Sequence, residues 1–194
     1  FGKKFKMTDI LLPIIEKITK KIDLINSKIG NLISWLTLGC VINCFVVVIL
    51  RYVFSVGFPW MQELYVWQHS IIFLGGAGFT FLHNSHVNVD IIYSKFRLKT
   101  KCYVDIFGTL FFLFPWIIII AYSSSSFIKS SWRIYEPSSQ TNGMPGLFLL
   151  KSMIWFFCSI IFLQGLSLIG KRVLALFNFS KKDLNNNLLY SSED

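Results

Sequence analysis

The chain has 194 residues, of which 54% are hydrophobic and 15% are charged, and its net charge is +9. Soluble domains carry roughly 25% charged residues, so this composition argues against a water-soluble globule. The mean hydropathy of +0.57 points the same way.

The first 30 residues form a basic segment with helical periodicity. Seven apolar residues between Leu11 and Ile29 recur at three- and four-residue spacing, and the lysines lie mostly on the other side. This pattern is typical of an amphipathic helix on a membrane surface, with its lysines facing anionic headgroups. It is equally compatible with packing against a partner protein. Charged residues interrupt every short apolar stretch here, so we expect no cleaved signal peptide.

Four runs that contain no Asp, Glu, Lys or Arg follow this segment. They hold 22, 26, 23 and 19 residues. A helix rises about 1.5 Å per residue, so roughly 20 apolar residues cross a hydrocarbon core about 30 Å thick. Buried helices of a soluble domain would instead show polar stripes. The sequence predicts an all-α integral membrane protein with four transmembrane helices, at about 31-51, 63-84, 104-128 and 148-170.

The second span and the connection after the third contain residues that suit protein contacts. Small residues from Gly75 to Gly78 allow another helix to approach closely. The connection from Lys129 to Gly146 is rich in turn residues and is the longest one on its side of the membrane. Residues 31-174 form the predicted membrane domain, and the polar tail at 175-194 is predicted to be disordered.

The basic residues predict the orientation. Fifteen of the 19 precede the first span, lie between the second and third, or follow the fourth. Positive charge is retained on the cytoplasmic side during insertion, so we expect both termini in the cytoplasm. The charge of +9 is then a topology signal and not a nucleic-acid footprint, which would need basic residues and stacking aromatics on one face.

The residues that could bind a metal or a haem lie in or near the second span. His83, His86 and Asp90 are spaced i, i+3 and i+7, so a continuing helix places them on one face. The alternative is a polar helix end in which His86 pairs with Asp90. Haem ligation across a bundle needs histidines on two facing helices, and all three histidines lie on this helix or at its end. We predict no metal and no cofactor, and a haem-binding redox subunit that works as an oligomer is the alternative function.

No catalytic constellation is visible. The sequence has no nucleophile–base pair, phosphate-binding glycine loop or nucleotide motif, so we predict no enzyme activity. Transporter ion sites usually place several ionisable groups within the membrane, whereas here the charged residues lie at span ends. A chain with spans but no site of its own is expected to support another subunit.

Several motifs resemble the small membrane (DctQ-type) subunit of tripartite ATP-independent periplasmic (TRAP) transporters. The first runs from Arg51 to Leu64, and the most specific is the stretch His86-Val87-Asn88-Val89-Asp90 after the glycine-rich second span. A third set resembles the branch associated with mannitol and chloroaromatic compounds: Glu136-Pro137-Ser138-Ser139, Met144-Pro145 and Lys151. The resemblance covers about residues 32–174.

The resemblance implies a secondary importer in the bacterial inner membrane, driven by a sodium gradient and supplied by a periplasmic substrate-binding protein. The large permease subunit would carry the substrate and sodium sites, and this chain would pack against it as a scaffold in the lipid bilayer. Ten residues are expected to have partner-interface or structural roles: Arg51, Trp60, Glu63, Gly75, Gly78, His86, Asp90, Glu136, Ser138 and Lys151.

Overall fold

The described part of the chain contains five α-helices and one π-helical turn, joined by non-helical connections. The computed structural model describes the backbone of residues 2–83, 93 and 95–190, and side chains in 11–83, 93 and 95–179. The elements are α1 (Gly2–Tyr52), α2 (Pro59–Leu82), α3 (Leu98–Gly108), the π-helical turn (Thr109–Leu113), α4 (Phe114–Arg133) and α5 (Leu147–Tyr190). None of these described residues lies in a β-strand, which confirms the all-α prediction for them.

Three described helical segments are long and apolar enough to cross a membrane. They are Leu11–Tyr52, Leu98–Arg133 and Leu147–Phe179, with 42, 36 and 33 residues. Helix α2 has 24 residues and is not among these three segments. The membrane-type helical fold is therefore supported, and the fourth span stays a prediction.

Two helices extend beyond the boundaries expected from the sequence. Helix α1 runs without interruption from Gly2 to Tyr52, so the predicted surface helix and the first span are one element. Helix α5 continues to Tyr190, through the segment for which a disordered tail is expected. Neither junction contains a helix-breaking Pro-Gly pair, and Ala175 and several leucines in α5 favour helix.

The described residues form two compact units. The first unit contains the described residues within Phe1–Leu24, His86–Pro115 and Leu163–Asp194. The second unit contains the described residues within Ile25–Ser85 and Trp116–Phe162.

In the first unit, the π-helical turn packs against α5. Pro115 has no N–H to donate to the Phe111 carbonyl, and the Phe114 N–H bonds to the Thr109 carbonyl five residues earlier. A side chain at Gly165 of α5 would lie 2.7 Å from the Phe114 ring and 3.1 Å from Leu113. A glycine at this position therefore lets α5 lie directly against the widened turn.

In the second unit, the glycines of α2 lie at helix contacts. Gly75 and Gly78 are buried. A Cβ atom at Gly75 would lie 2.5 Å from Ile33 of α1, and one at Gly78 would overlap Ile160 of α5 and lie 2.9 Å from Asn26. Gly76 has nothing within 4 Å of such an atom. The glycine run thus contains two contact positions and one open position.

These two environments predict different effects of the same substitution. Gly78→Ala forces Ile160 and Asn26 to move, and we expect it to destabilise the fold by about 1–3 kcal/mol, the usual cost of overpacking. The measurement is the thermal unfolding midpoint of the purified chain in detergent. Gly76→Ala is the matched control and should not lower the midpoint, because the position is open and alanine favours helix over glycine. Equal losses for the two variants would contradict the packing.

Candidate functional site

The carboxylate of Glu63, near the start of α2, is held by the connection between α4 and α5. One oxygen accepts a hydrogen bond from the Ser138 hydroxyl, and the other accepts the Met144 backbone N–H at 2.6 Å. The Ser138 hydroxyl also accepts the Gln140 N–H at 2.9 Å. Because these partners lie 75 and 81 residues from Glu63 in sequence, the carboxylate closes a long-range contact within the second unit.

A turn at Asn142 and Gly143 brings Met144 into position. Asn142 has a φ of 60°, a left-handed conformation that asparagine tolerates better than most residues. A Cβ atom at Gly143 would lie 2.6 Å from the Glu63 carboxylate and 2.6 Å from the Ser138 Cβ. The turn therefore has no room for a side chain at Gly143.

A second carboxylate, Glu136, connects the same segment to α4 and α5. It pairs with the ammonium group of Lys151, whose side chain is 15% exposed, and it accepts the Ser131 hydroxyl at 2.5 Å. The Lys151 ammonium also lies 4.0 Å from the centroid of the Phe127 ring. Hydrogen bonds from Lys151 and Ser131 hold the pKa of Glu136 below its ordinary value of 4.5, against a smaller opposing effect of burial.

Aromatic contacts join the end of α4 to the start of α5. The Trp132 indole N–H donates to the Ser152 hydroxyl at 2.8 Å. The Trp132 and Tyr135 rings meet Phe148 at centroid distances of 4.6 and 5.7 Å, both edge to face. We call Glu63, Glu136, Ser138, Met144 and Lys151 the loop cluster. Together with these aromatic contacts, the loop cluster holds the connection between α4 and α5 at both ends.

Sequence analysis missed a polar cluster in the first unit. Lys171 of α5 pairs with Asp23 of α1 at 2.6 Å, and Asp23 also accepts hydrogen bonds from Ser167 at 2.7 Å and Gln164 at 3.2 Å. Ser167 and Gln164 are 0% and 3% exposed. The face of α1 that packs on α5 here is therefore polar, while Leu11, Ile14 and Ile18 stay exposed.

The next residue of α5 makes the equivalent contact with α3. Arg172 pairs with Asp105 at 2.6 Å, and Asp105 accepts the Tyr93 hydroxyl at 2.9 and 3.0 Å. Lys101 lies 5.1 Å from the centroid of the Tyr93 ring. In the sequence, Lys171 and Arg172 were interpreted only as a topology signal, so their carboxylate partners were not predicted. The acidic residue Asp23 within a lysine-rich segment is the feature that could have indicated such a contact.

The other predicted residues are placed separately. Arg51 lines a groove between α1 and α2, and Trp60 is 45% exposed with its ring 6.4 Å from that of Phe58. Gly75 and Gly78 lie at the helix contacts described above. His86 and Asp90 lie outside the described residues.

The candidate metal and haem ligands are only partly described. The His83 ring lies 4.2 Å from that of Phe79, and its Nδ1 lies 3.0 Å from the Phe79 carbonyl. His69 lies on the same helix and is exposed. Within the described ranges, no group of three His, Cys, Asp or Glu side chains is arranged to hold a metal ion.

The chain matches the model of a known protein family. A family model described as "Tripartite ATP-independent periplasmic transporters, DctQ component" matches residues 40–177. This range is more than two thirds of the chain, and it contains the whole loop cluster as well as Asp105, Lys171 and Arg172. No curated protein and no solved structure matches the chain.

The loop cluster predicts how the connection responds to loss of the Glu63 charge. In Glu63→Gln only one accepting oxygen remains, so the side chain can no longer accept hydrogen bonds from both the Met144 N–H and the Ser138 hydroxyl. Leaving such a donor unpaired costs about 1–3 kcal/mol, so hydrogen exchange of the amides from 138 to 144 should become roughly tenfold faster. Glu16→Gln is the control, because Glu16 forms an exposed pair with Lys20. Unchanged exchange in Glu63→Gln would contradict the contact.

Glu136 predicts a pH dependence of the same connection. Because its folded pKa is lowered, the stabilisation by the carboxylate is complete above the ordinary glutamate range and is lost only as the pH falls through the lowered value. Lys151→Met removes the main cause, so the loss should move to higher pH. The measurement is exchange of the amides from 134 to 140 against pH, corrected for intrinsic rates. Lys129→Met, which removes an exposed lysine of α4, should leave the profile in place.

Proposed function

The chain belongs to the DctQ family of tripartite ATP-independent periplasmic transporters, and on this premise we propose that it is the small membrane subunit that scaffolds a large permease subunit. The complex would import a solute with the energy of a sodium gradient, and a periplasmic binding protein would deliver that solute. The family is a transporter component and not an enzyme family.

The observation that carries the scaffold role is the use of the polar side chains within the chain. A sodium or substrate site needs carboxylate and carbonyl oxygens that are free to bind an ion. The Glu63 and Glu136 carboxylates instead hold the loop cluster, and Asp23 and Asp105 hold α5. Among the described residues, these acids support helix contacts, so we assign the transport chemistry to the large subunit.

We propose that the chain crosses the bacterial inner membrane four times with both termini in the cytoplasm. Three segments suit membrane crossing, and α2, at 24 residues, is about 36 Å long and thus also long enough. The basic residues favour this orientation. The loop cluster would then face the periplasm, and the contacts of Lys171 and Arg172 would lie at the cytoplasmic end.

The surfaces of the second unit suit a partner and lipid. The contact glycines of α2 face other helices of this chain, whereas large apolar side chains of α1 and α4 are exposed, among them Trp35 at 75%, Phe45 at 64% and Ile119 at 63%. Apolar faces of this kind pack against lipid or another membrane protein. We propose that the large permease subunit covers part of them, with Trp60, His86 and Asp90 at the ends of the contact and the groove lined by Arg51 outside it.

The proposal predicts co-purification and dependent transport. The affinity-tagged chain should co-purify with a much larger membrane protein, and proteoliposomes should take up solute only when both subunits, the binding protein and an inward sodium gradient are present. The measurement is uptake of radiolabelled solute with and without this chain. Full uptake without it would contradict the proposal, as would a stoichiometric haem absorption band in the purified chain, which would favour the redox alternative.

Two variants test the roles assigned to individual residues in this experiment. Glu63→Ala and Asp90→Ala should lower assembly or uptake, because we assign both residues to structural or interface roles. Neither should change the order in which competing solutes inhibit uptake. A changed order would mean that this chain lines the substrate site.

A further inference from the structure

A groove in the second unit separates the end of α1 from the start of α2. Its volume is about 380 Å³, within the range of roughly 300–1,000 Å³ that is usual for small-molecule sites. Cys44, Val47 and Val48 line it one to two helical turns before the end of α1, and Arg51 and Tyr52 lie at that end. Gln62, in the first turn of α2, faces them. The groove is therefore apolar along its length and polar with a cation at its rim.

Arg51 has no partner within the described part of the chain. No described side chain forms a hydrogen bond or an ion pair with its guanidinium group, whereas Lys151, Lys171 and Arg172 each pair with a carboxylate. A guanidinium group presents a planar fork of donors that fits a phosphate group. The unpaired cation thus favours an anionic group at the rim of the groove.

The start of α2 adds to this preference. The N-terminal end of a helix carries partial positive charge, and the first turn of α2 contains no acidic residue. Glu63 follows Gln62 in sequence, but its two oxygens accept hydrogen bonds from Ser138 and Met144. The carboxylate of Glu63, the one nearest to Gln62 in sequence, is therefore hydrogen-bonded within the loop cluster and does not line the groove.

We propose that this groove binds one phospholipid of the periplasmic leaflet, with its phosphate on Arg51 and Gln62 and an acyl chain along Val47 and Val48. The choice of leaflet rests on the orientation given under the proposed function. The order of the lining residues matches that of a lipid, because the apolar residues lie deeper in the predicted span and the cation lies at the interface. Tyr52, which is 78% exposed, suits the headgroup region.

The test is a lipid titration of the delipidated full-length chain. Phosphatidylglycerol of one acyl composition is added in detergent, and bound lipid is counted by native mass spectrometry. Arg51→Gln should weaken binding roughly tenfold, as expected for loss of one charge-assisted hydrogen bond. Arg133→Gln is the matched control, because it removes an exposed arginine at the end of α4, and it should leave binding unchanged.

A second measurement locates the lipid without changing the charge. Phosphatidylglycerol with a photoactivatable acyl chain should label the peptide that contains residues 44–52, and Val48→Trp should reduce this labelling by filling the groove. Val66→Trp, at an exposed position of α2 that does not line the groove, is the control and should leave the labelling intact.

Three results would overturn the proposal. Equal effects of Arg51→Gln and Arg133→Gln would show that Arg51 does not hold the lipid. Displacement of the lipid by an equal concentration of inorganic phosphate would indicate a site for a free anion. Loss of labelling when the large permease is co-purified would show that protein covers the groove. Because the titration needs no permease, its failure is distinguishable from failure of the scaffold function.

Discussion

A chain this apolar has to satisfy its polar groups from within, because lipid offers no hydrogen-bond partners. Long helices do this for most of the backbone, and they account for every described segment long enough to cross a membrane. The connection between α4 and α5 is not helical and lies outside the predicted spans, and its conformation is fixed by side-chain partners. Glu63 and Glu136 supply them by accepting hydrogen bonds from the backbone N–H of Met144 and the hydroxyls of Ser138 and Ser131.

The same constraint explains where the charged residues lie in the first unit. Lys171 and Arg172 occur directly after an apolar run, and each meets a carboxylate from a different helix. The Lys171 and Arg172 side chains are 42% and 33% exposed, and pairing with a carboxylate offsets the partial loss of water around each charge. Each pair also sets which helices lie next to each other. These pairs therefore connect the topology signal in the sequence to the packing of α1 and α3 on α5.

Several features were predictable because they depend on local composition. The apolar runs predict helices, and turn residues predict the connection that contains Asn142 and Gly143. The motifs around Glu63, Glu136 and Lys151 predict the family, which the match to residues 40–177 confirms. The pairing of Asp23 with Lys171 was not predictable, because an acid in a lysine-rich helix has many basic neighbours and its partner lies 148 residues away. The sequence also treats Gly75, Gly76 and Gly78 alike, although only the first and last lie against another helix.

The sequence by itself determined the all-α class, the membrane-type composition and the family, because these follow from the residue types and their order. Only the tertiary structure decided that Ser138 and Met144 share the Glu63 carboxylate and that the polar face of α1 packs on α5. It also decided that Arg51, at the rim of a groove, meets no partner among the residues that the structure describes. Each of these depends on which distant segments meet. A hydrogen bond acts over about 3 Å, and no local pattern specifies which donors and acceptors come that close.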